Sequence, residues 1–230
     1  MTDPLVIAID GPAGAGKSTV ARKLAARLRL SYVDSGATYR AAALRVLEAD
    51  LSPDAETAVS ELIGRARIEF ETGGSRVRLD GNDVTQKIRT PEVTLVAAKV
   101  SRLPQVRKKL VALQRTLARG RGVVMEGRDI GTVVFPQAPL KIFLKADPEE
   151  RARRRLNDDK KQGRNATLEQ TAYEIGRRDQ LDAERKISPL IPAPDAVEID
   201  STRFTADEVV ERILRIAAER GLLQQSFGVK

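Results

Sequence analysis

The stretch Gly11-Pro-Ala-Gly-Ala-Gly-Lys-Ser18 decides how the rest of the chain is read. It follows a short apolar run of strand type, Leu5-Val-Ile-Ala-Ile9, and precedes Thr19-Val-Ala-Arg-Lys-Leu-Ala-Ala-Arg-Leu28, which has a strongly helical pattern. A G-x-x-x-x-G-K-S spelling between strand and helix is the signature of a phosphate-binding loop. Glycines let the backbone wrap a polyphosphate closely, so that amide N–H groups and a helix N-terminus face the negative charge. Residues Gly11, Pro12, Ala13, Gly14, Ala15, Gly16, Lys17, Ser18 and Thr19 are therefore expected to bind a nucleoside triphosphate. Lys17 would bridge the outer phosphates, and the Ser18 hydroxyl would hold a Mg2+ ion that accompanies the nucleotide. A glycine-rich turn that only capped a helix would need no Lys-Ser pair at this offset.

Outward from the loop, the texture is that of an α/β fold. Residues 30–33 read as a second strand, running into the turn or N-cap signal of Asp34, Ser35 and Gly36. Helical patterns follow over 39–49, from Pro53 to about 65, over 90–102 and over 105–119, with strand candidates at 122–126, 140–144 and 196–200. The βα alternation predicts a parallel sheet with right-handed crossovers. It is interrupted between 67 and 82, where alternating strands joined by Gly73-Gly74 and Asp80-Gly-Asn82 predict a small antiparallel insert. Residues 157–165 are polar and broken by glycine, and are expected to be mobile. Thr167 should cap a helix to about residue 186, and Thr205 an amphipathic helix to about residue 220, leaving the last ten residues loose.

The chain has 230 residues, no Cys and no His, which excludes a disulfide frame, thiolate metal sites and the commonest general base. Acid–base and metal chemistry must then rest on Asp, Glu and hard, oxygen-bound cations. A net charge of +8 admits two partners, nucleic acid or small polyanions. The basic residues are dispersed along helices, and only 3% of residues are aromatic, so no base-stacking platform is apparent and small anions are favoured. No apolar run approaches a membrane span and the N-terminus lacks signal-peptide character, so a cytosolic protein is expected.

A phosphate loop says what is bound and not what is done with it. The guanine-reading N-K-x-D motif is absent, and no apolar run ends in Asp-Glu as in many helicase-like motors. Ligands of open α/β sheets sit beyond the C-terminal strand ends. The turns at Gly11, Asp34 and Gly127 leave such ends, so Lys17, Ser35, Arg40, Arg128 and Asp129 should share one crevice. Arg178, Asp182 and Arg185, spaced i, i+4, i+7, would add one helical face: two guanidiniums around a carboxylate, suited to a phosphorylated ligand that also carries amine donors. An exposed ion pair is the bland alternative at that spacing. Arg151 and Arg155, a helical turn apart before the polar segment 157–165, are placed as a lid would place charge for a transferring phosphoryl group, although a solvated helix face has the same spelling.

The stretches GPAGAGKST (11–19), DSGATYR (34–40), GRDIGTVVFP (127–136) and RRDQLDAERKISPLIPAPDA (177–196) together resemble the bacterial cytidylate kinases, over about residues 7–219. The resemblance implies a P-loop core (about 1–35, 105–150 and 190–220), a lid (about 151–166) and a monophosphate-binding region (about 36–104) that carries the β-rich insert. It implies transfer of a phosphoryl group from ATP to CMP or dCMP by a monomeric enzyme, with Ser35, Arg40, Arg107, Asp129, Arg178, Asp182 and Arg185 holding the acceptor. Among these, Arg178 and Asp182 would read cytosine, and Arg40 and Arg107 the monophosphate. Lys17, Arg128, Arg151 and Arg155 would address the transferring phosphate. The chain departs from the family at Ala98, where a cytosine-contacting serine is expected: either Ser101 replaces it from the next helical turn or that contact is lost. Other small-acceptor P-loop kinases, acting on UMP, shikimate or gluconate, are the enzymatic alternatives. A nucleic-acid-associated NTPase rests on charge alone.

Overall fold

The computed structural model describes residues 4–71, 76–120, 122–161, 163–185 and 187–223. Its frame is a five-stranded parallel sheet of β1 (Val6–Asp10), β2 (Ser31–Asp34), β6 (Val123–Gly127), β7 (Leu140–Lys145) and β8 (Val197–Asp200), in the order β2-β6-β1-β7-β8. β1 lies in the middle, with Ile7 opposite Val124 on one side and Leu140 on the other. Ile7, Ala8 and Ile9 are fully buried, as helices covering both faces of a parallel sheet require. One face is closed by α1 (Lys17–Leu28) and α8 (Ala206–Glu219), whose Leu24, Val209 and Ile213 join the sheet's Ile7, Ile142 and Leu144 in a single core. α8 starts where Thr205 and Glu208 form a reciprocal capping box.

α2 (Ser35–Glu48) begins four residues earlier than its apolar spacing suggested, because the Asp34 carboxylate accepts the N–H of Ala37 and caps it, a contact of about 1 kcal/mol. With α3 (Glu56–Arg65), α4 (Pro91–Val100) and α5 (Pro104–Leu117) it builds a second core. Against that core lies the expected antiparallel insert, β3 (Ile68–Phe70), β4 (Val77–Leu79) and β5 (Asn82–Asp83). Leu79 pairs with Asn82 across a two-residue turn in which Asp80 and Gly81 both take positive φ, as type I′ hairpins demand. The Gly73-Gly74 turn lies outside the described residues.

Two segments differ from their sequence reading. α6 (Pro148–Lys161) runs through the first half of the stretch expected to be mobile. It closes with Gly163 at φ 71° and the Arg164 N–H on the Asp159 carbonyl, a glycine-assisted helix end. After β6, residues Ile130–Val134 form a π-helical turn, because the Asp10 carboxylate accepts the N–H groups of Ile130 (2.8 Å) and Gly131 (2.7 Å) and pins the turn to the end of β1. α7 (Leu168–Ala183) is capped by Thr167 and Gln170 as a second capping box; Lys186, its expected end, lies outside the described residues. Among the described residues no helix is long and apolar enough to cross a membrane.

Candidate active site

β1, β2 and β6 are parallel, so the loops after Asp10, Asp34 and Gly127 emerge at the same edge of the sheet. Beyond that edge lies a crevice of about 420 Å³, walled by the phosphate loop, α2, α4, the turn after β6, α6 and α7. Its lining contains ten cationic side chains and only five carboxylates, a surplus that suits a ligand carrying several negative charges.

The phosphate loop is shaped by close approaches that only glycine permits. A side chain on Gly11 would meet the Leu144 carbonyl at 2.0 Å, and one on Gly14 the Arg151 carbonyl at 2.7 Å. Lys17 is buried and its Nζ donates to the Pro12 carbonyl at 2.7 Å. Burial, followed by the charge of Arg128, pushes its ammonium down to about 7. Glu126, at the end of β6, accepts from the Tyr32 hydroxyl at 2.7 Å, and burial beside Asp34 raises its carboxyl. Ser18 lines the crevice together with Glu126 and Asp34. A hydroxyl with carboxylates behind it is a hard-oxygen donor set that fits a magnesium ion held chiefly by nucleotide phosphates.

The expected acceptor residues converge on the same crevice. Ser35, Arg40, Ser101, Arg107, Asp129, Arg178, Asp182 and Arg185 all line the crevice, although they come from five separate stretches of chain. Arg40 donates to Asp34 at 2.7 Å; burial would raise that carboxyl, but Arg40 outweighs it and holds it below the usual range. Arg107 bonds Asp129, donates to the Ser101 carbonyl at 3.2 Å and lies over the Tyr39 ring at 5.7 Å. Asp182 is shared: Arg128 donates to it at 2.8 Å and Arg185 bonds its other oxygen. Burial favours the neutral acid, yet Arg128 and Arg185 together keep its carboxyl lowered. Arg178 has no ion pair among the described residues, and burial next to Arg128 pushes its guanidinium down to about 10.

Ala98 and Ser101 both line the crevice. The Ser101 hydroxyl donates to the Ala98 carbonyl at 3.0 Å, so it offers a ligand lone pairs but no free proton. Of the expected lid arginines, Arg155 lines the crevice and pairs with Asp159 at 3.2 Å. Arg151 does not line the crevice. Its guanidinium donates to the Ala13 carbonyl at 3.1 Å and bonds Asp179, because α6 packs directly on the phosphate loop at Gly14. Glu126, Asp34, Arg89 and Arg164 also line the crevice and were not singled out from the sequence. Glu126 had a readable signal, an acid closing a buried strand; Arg89 and Arg164 had none.

One consequence of the depressed Lys17 concerns protons. At pH 8 the empty site holds Lys17 mostly neutral, and a triphosphate against it restores the charge, so binding takes up a proton. Calorimetric titration of ATP into the enzyme at pH 8, in buffers of different ionisation enthalpy, should reveal uptake of up to about one proton. The uptake should vanish in Lys17→Ala. Heats that do not depend on the buffer would place the Lys17 ammonium fully charged in the empty site.

The sequence profile of the family described as cytidylate kinase matches residues 7–219. A cytidylate kinase of Geobacillus kaustophilus is 51% identical over 216 residues, 93% of this chain and 96% of the relative. A cytidylate kinase of Desulforamulus reducens is likewise 51% identical, over 93% of this chain and 97% of its own. A phosphate loop and many arginines lining one crevice, with identity of this extent along nearly the whole chain, lead to one conclusion: the chain belongs to the cytidylate kinase family.

Proposed function

We propose that the crevice joins ATP and CMP, or dCMP, and moves the γ-phosphoryl group in line from one to the other. The observation that carries this reading is the one cavity that Lys17 shares with Asp182, whose carboxylate is held by Arg128 and Arg185. An oxygen of the acceptor monophosphate attacks the γ-phosphorus, the bond to the β,γ-bridging oxygen breaks, and ADP and CDP result. That oxygen is already anionic at neutral pH, so no strong base is needed, in keeping with a chain that has no His. Catalysis then rests on positioning and on charge matched to the transition state.

Residues 11–19 wrap the ATP phosphates, and Lys17 follows the transferring group. Ser18 would hold the magnesium ion, which would supply charge neutralisation to the triphosphate. Arg40 and Arg107 take the acceptor phosphate, giving up Asp34 and Asp129 or sharing them. Ser35, Asp129 and Arg185 hold the nucleoside, and Arg178 with Asp182 reads the cytosine amine and carbonyl edge. Ser101 accepts at most one bond from the base, from the place next to Ala98. Arg128 and Arg155 spread charge over the transferring group, and closure of the α6 end over the crevice excludes water.

An acceptor panel of CMP, dCMP, UMP, AMP and shikimate with ATP and Mg2+ tests the reading through ADP release. CMP and dCMP should give the highest kcat/KM, with UMP lower by about tenfold or more, since its O4 carbonyl would face the Asp182 carboxylate. A preference for AMP or shikimate would overturn the assignment of this wall to cytosine.

A further inference from the structure

Arg151 makes its contacts at the phosphate loop and at α7. The Ala13 N–H donates to Asp179 Oδ1 at 3.1 Å, Arg151 Nη1 bonds Asp179 Oδ2, and the same Nη1 donates to the Ala13 carbonyl at 3.1 Å. One residue of the phosphate loop, Ala13, is thus held on both of its backbone polar groups by an acid from α7 and a base from α6. The joint is stiff. Arg151 also donates to the Ala146 carbonyl at 3.1 Å, both side chains are largely buried, and α6 lies against Gly14 with no room for a Cβ.

Neither Arg151 nor Asp179 lines the crevice, whereas Arg178, the very next residue on α7, does. Successive residues on a helix point about 100° apart, so α7 can hold the acceptor with one residue and the donor loop with the next. From this geometry we infer that Asp179 is a positioning residue for ATP: with Arg151 it sets the phosphate loop at Ala13 and so fixes where the amides from Gly14 onward point. The inference deepens the site reading above and rests on it for the acceptor side, where Arg178 and Asp182 are taken to bind CMP.

The role separates from a merely structural one through the two KM values. Loosening α7 as a whole would weaken both substrates, because Arg178 and Asp182 sit on the same helix. Loss of the Ala13 joint should weaken ATP alone. In steady-state assays Asp179→Ala should raise the KM for ATP roughly tenfold or more, while the KM for CMP stays within about twofold. Asp179→Asn keeps the volume and an acceptor for the Ala13 N–H but drops the charge facing Arg151, so it should fall between wild type and Asp179→Ala. If the alanine variant fails to fold, judged by its circular-dichroism melt, the asparagine variant decides alone. Arg151→Ala should mimic Asp179→Ala, and the double variant should cost little more than either single one. An unchanged or lowered KM for ATP overturns the inference, the latter because it would make Asp179 a competitor of the phosphates. Parallel rises in both KM values overturn it as well. Asp182→Ala, assayed beside these, reports on the acceptor assignment separately: an unchanged KM for CMP there would refute that assignment and leave the ATP result standing.

Discussion

Lys17→Ala should lower kcat on the order of a thousandfold or more, because it removes a charge aimed at the γ-phosphoryl group as that group transfers. The loss should come without unfolding. Lys17 is buried and its charged form is disfavoured there, since burial and Arg128 outweigh the attraction of Glu126 and Asp10, so the empty protein gains little from that ammonium. A lysine depressed to about 7 when folded binds fewer protons than the unfolded chain between that pH and its ordinary value. Wild-type stability therefore gains from this group as pH rises through that window, and the penalty is largest below about pH 7. Thermal melts at pH 6 should place Lys17→Ala level with wild type or above it. A kcat loss below about tenfold in a folded variant would remove Lys17 from the transition state.

Asp182→Ala should be the second large effect, and its reach is wider than a lost contact to the base. Two guanidiniums converge on this carboxylate, so its removal frees Arg128, expected at the phosphoryl group, and Arg185, expected at the nucleoside. We expect kcat/KM for CMP to fall on the order of a hundredfold or more, with a smaller fall for UMP. The ratio between the two acceptors should then narrow about tenfold. Stability should drop too, since breaking a buried pair strands its cations. Because Asp182 is held below the usual carboxylate range, its contribution is present above the unfolded pKa near 4 and fades as pH falls through the lowered one. The melting gap between variant and wild type should therefore close in acid. An unchanged CMP:UMP ratio would mean that Asp182 does not read the base, whatever happens to the rate.

Much of this molecule could be read from order along the chain. The strand-loop-helix spelling around Gly11–Ser18 needs only local conformation, and alternation of apolar runs with helical periodicity forces a parallel sheet. Parallel strands then send the turns at Gly11, Asp34 and Gly127 to one edge, so a shared crevice followed from topology before any distance was known. The i, i+4, i+7 spacing of Arg178, Asp182 and Arg185 likewise implied one face, and all three line one cavity.

What the sequence could not settle were pairings across long separations. Arg151 and Arg155 are one turn apart on the same helix, and local pattern treats them alike. Only packing of α6 against Gly14 turns Arg151 onto Ala13 and Asp179 while leaving Arg155 in the crevice. Asp179 carried no signal beside Arg178, because its partner lies 166 residues away on the phosphate loop. The turn after β6 is decided in the same way, by an Asp10 carboxylate 120 residues upstream that takes two of its amides. Local sequence determines which elements form and which edge of the sheet binds the ligand. The choice of partner for each buried charge belongs to the tertiary structure, since desolvation makes an unpaired charge costly and packing alone decides which opposite charge is within reach.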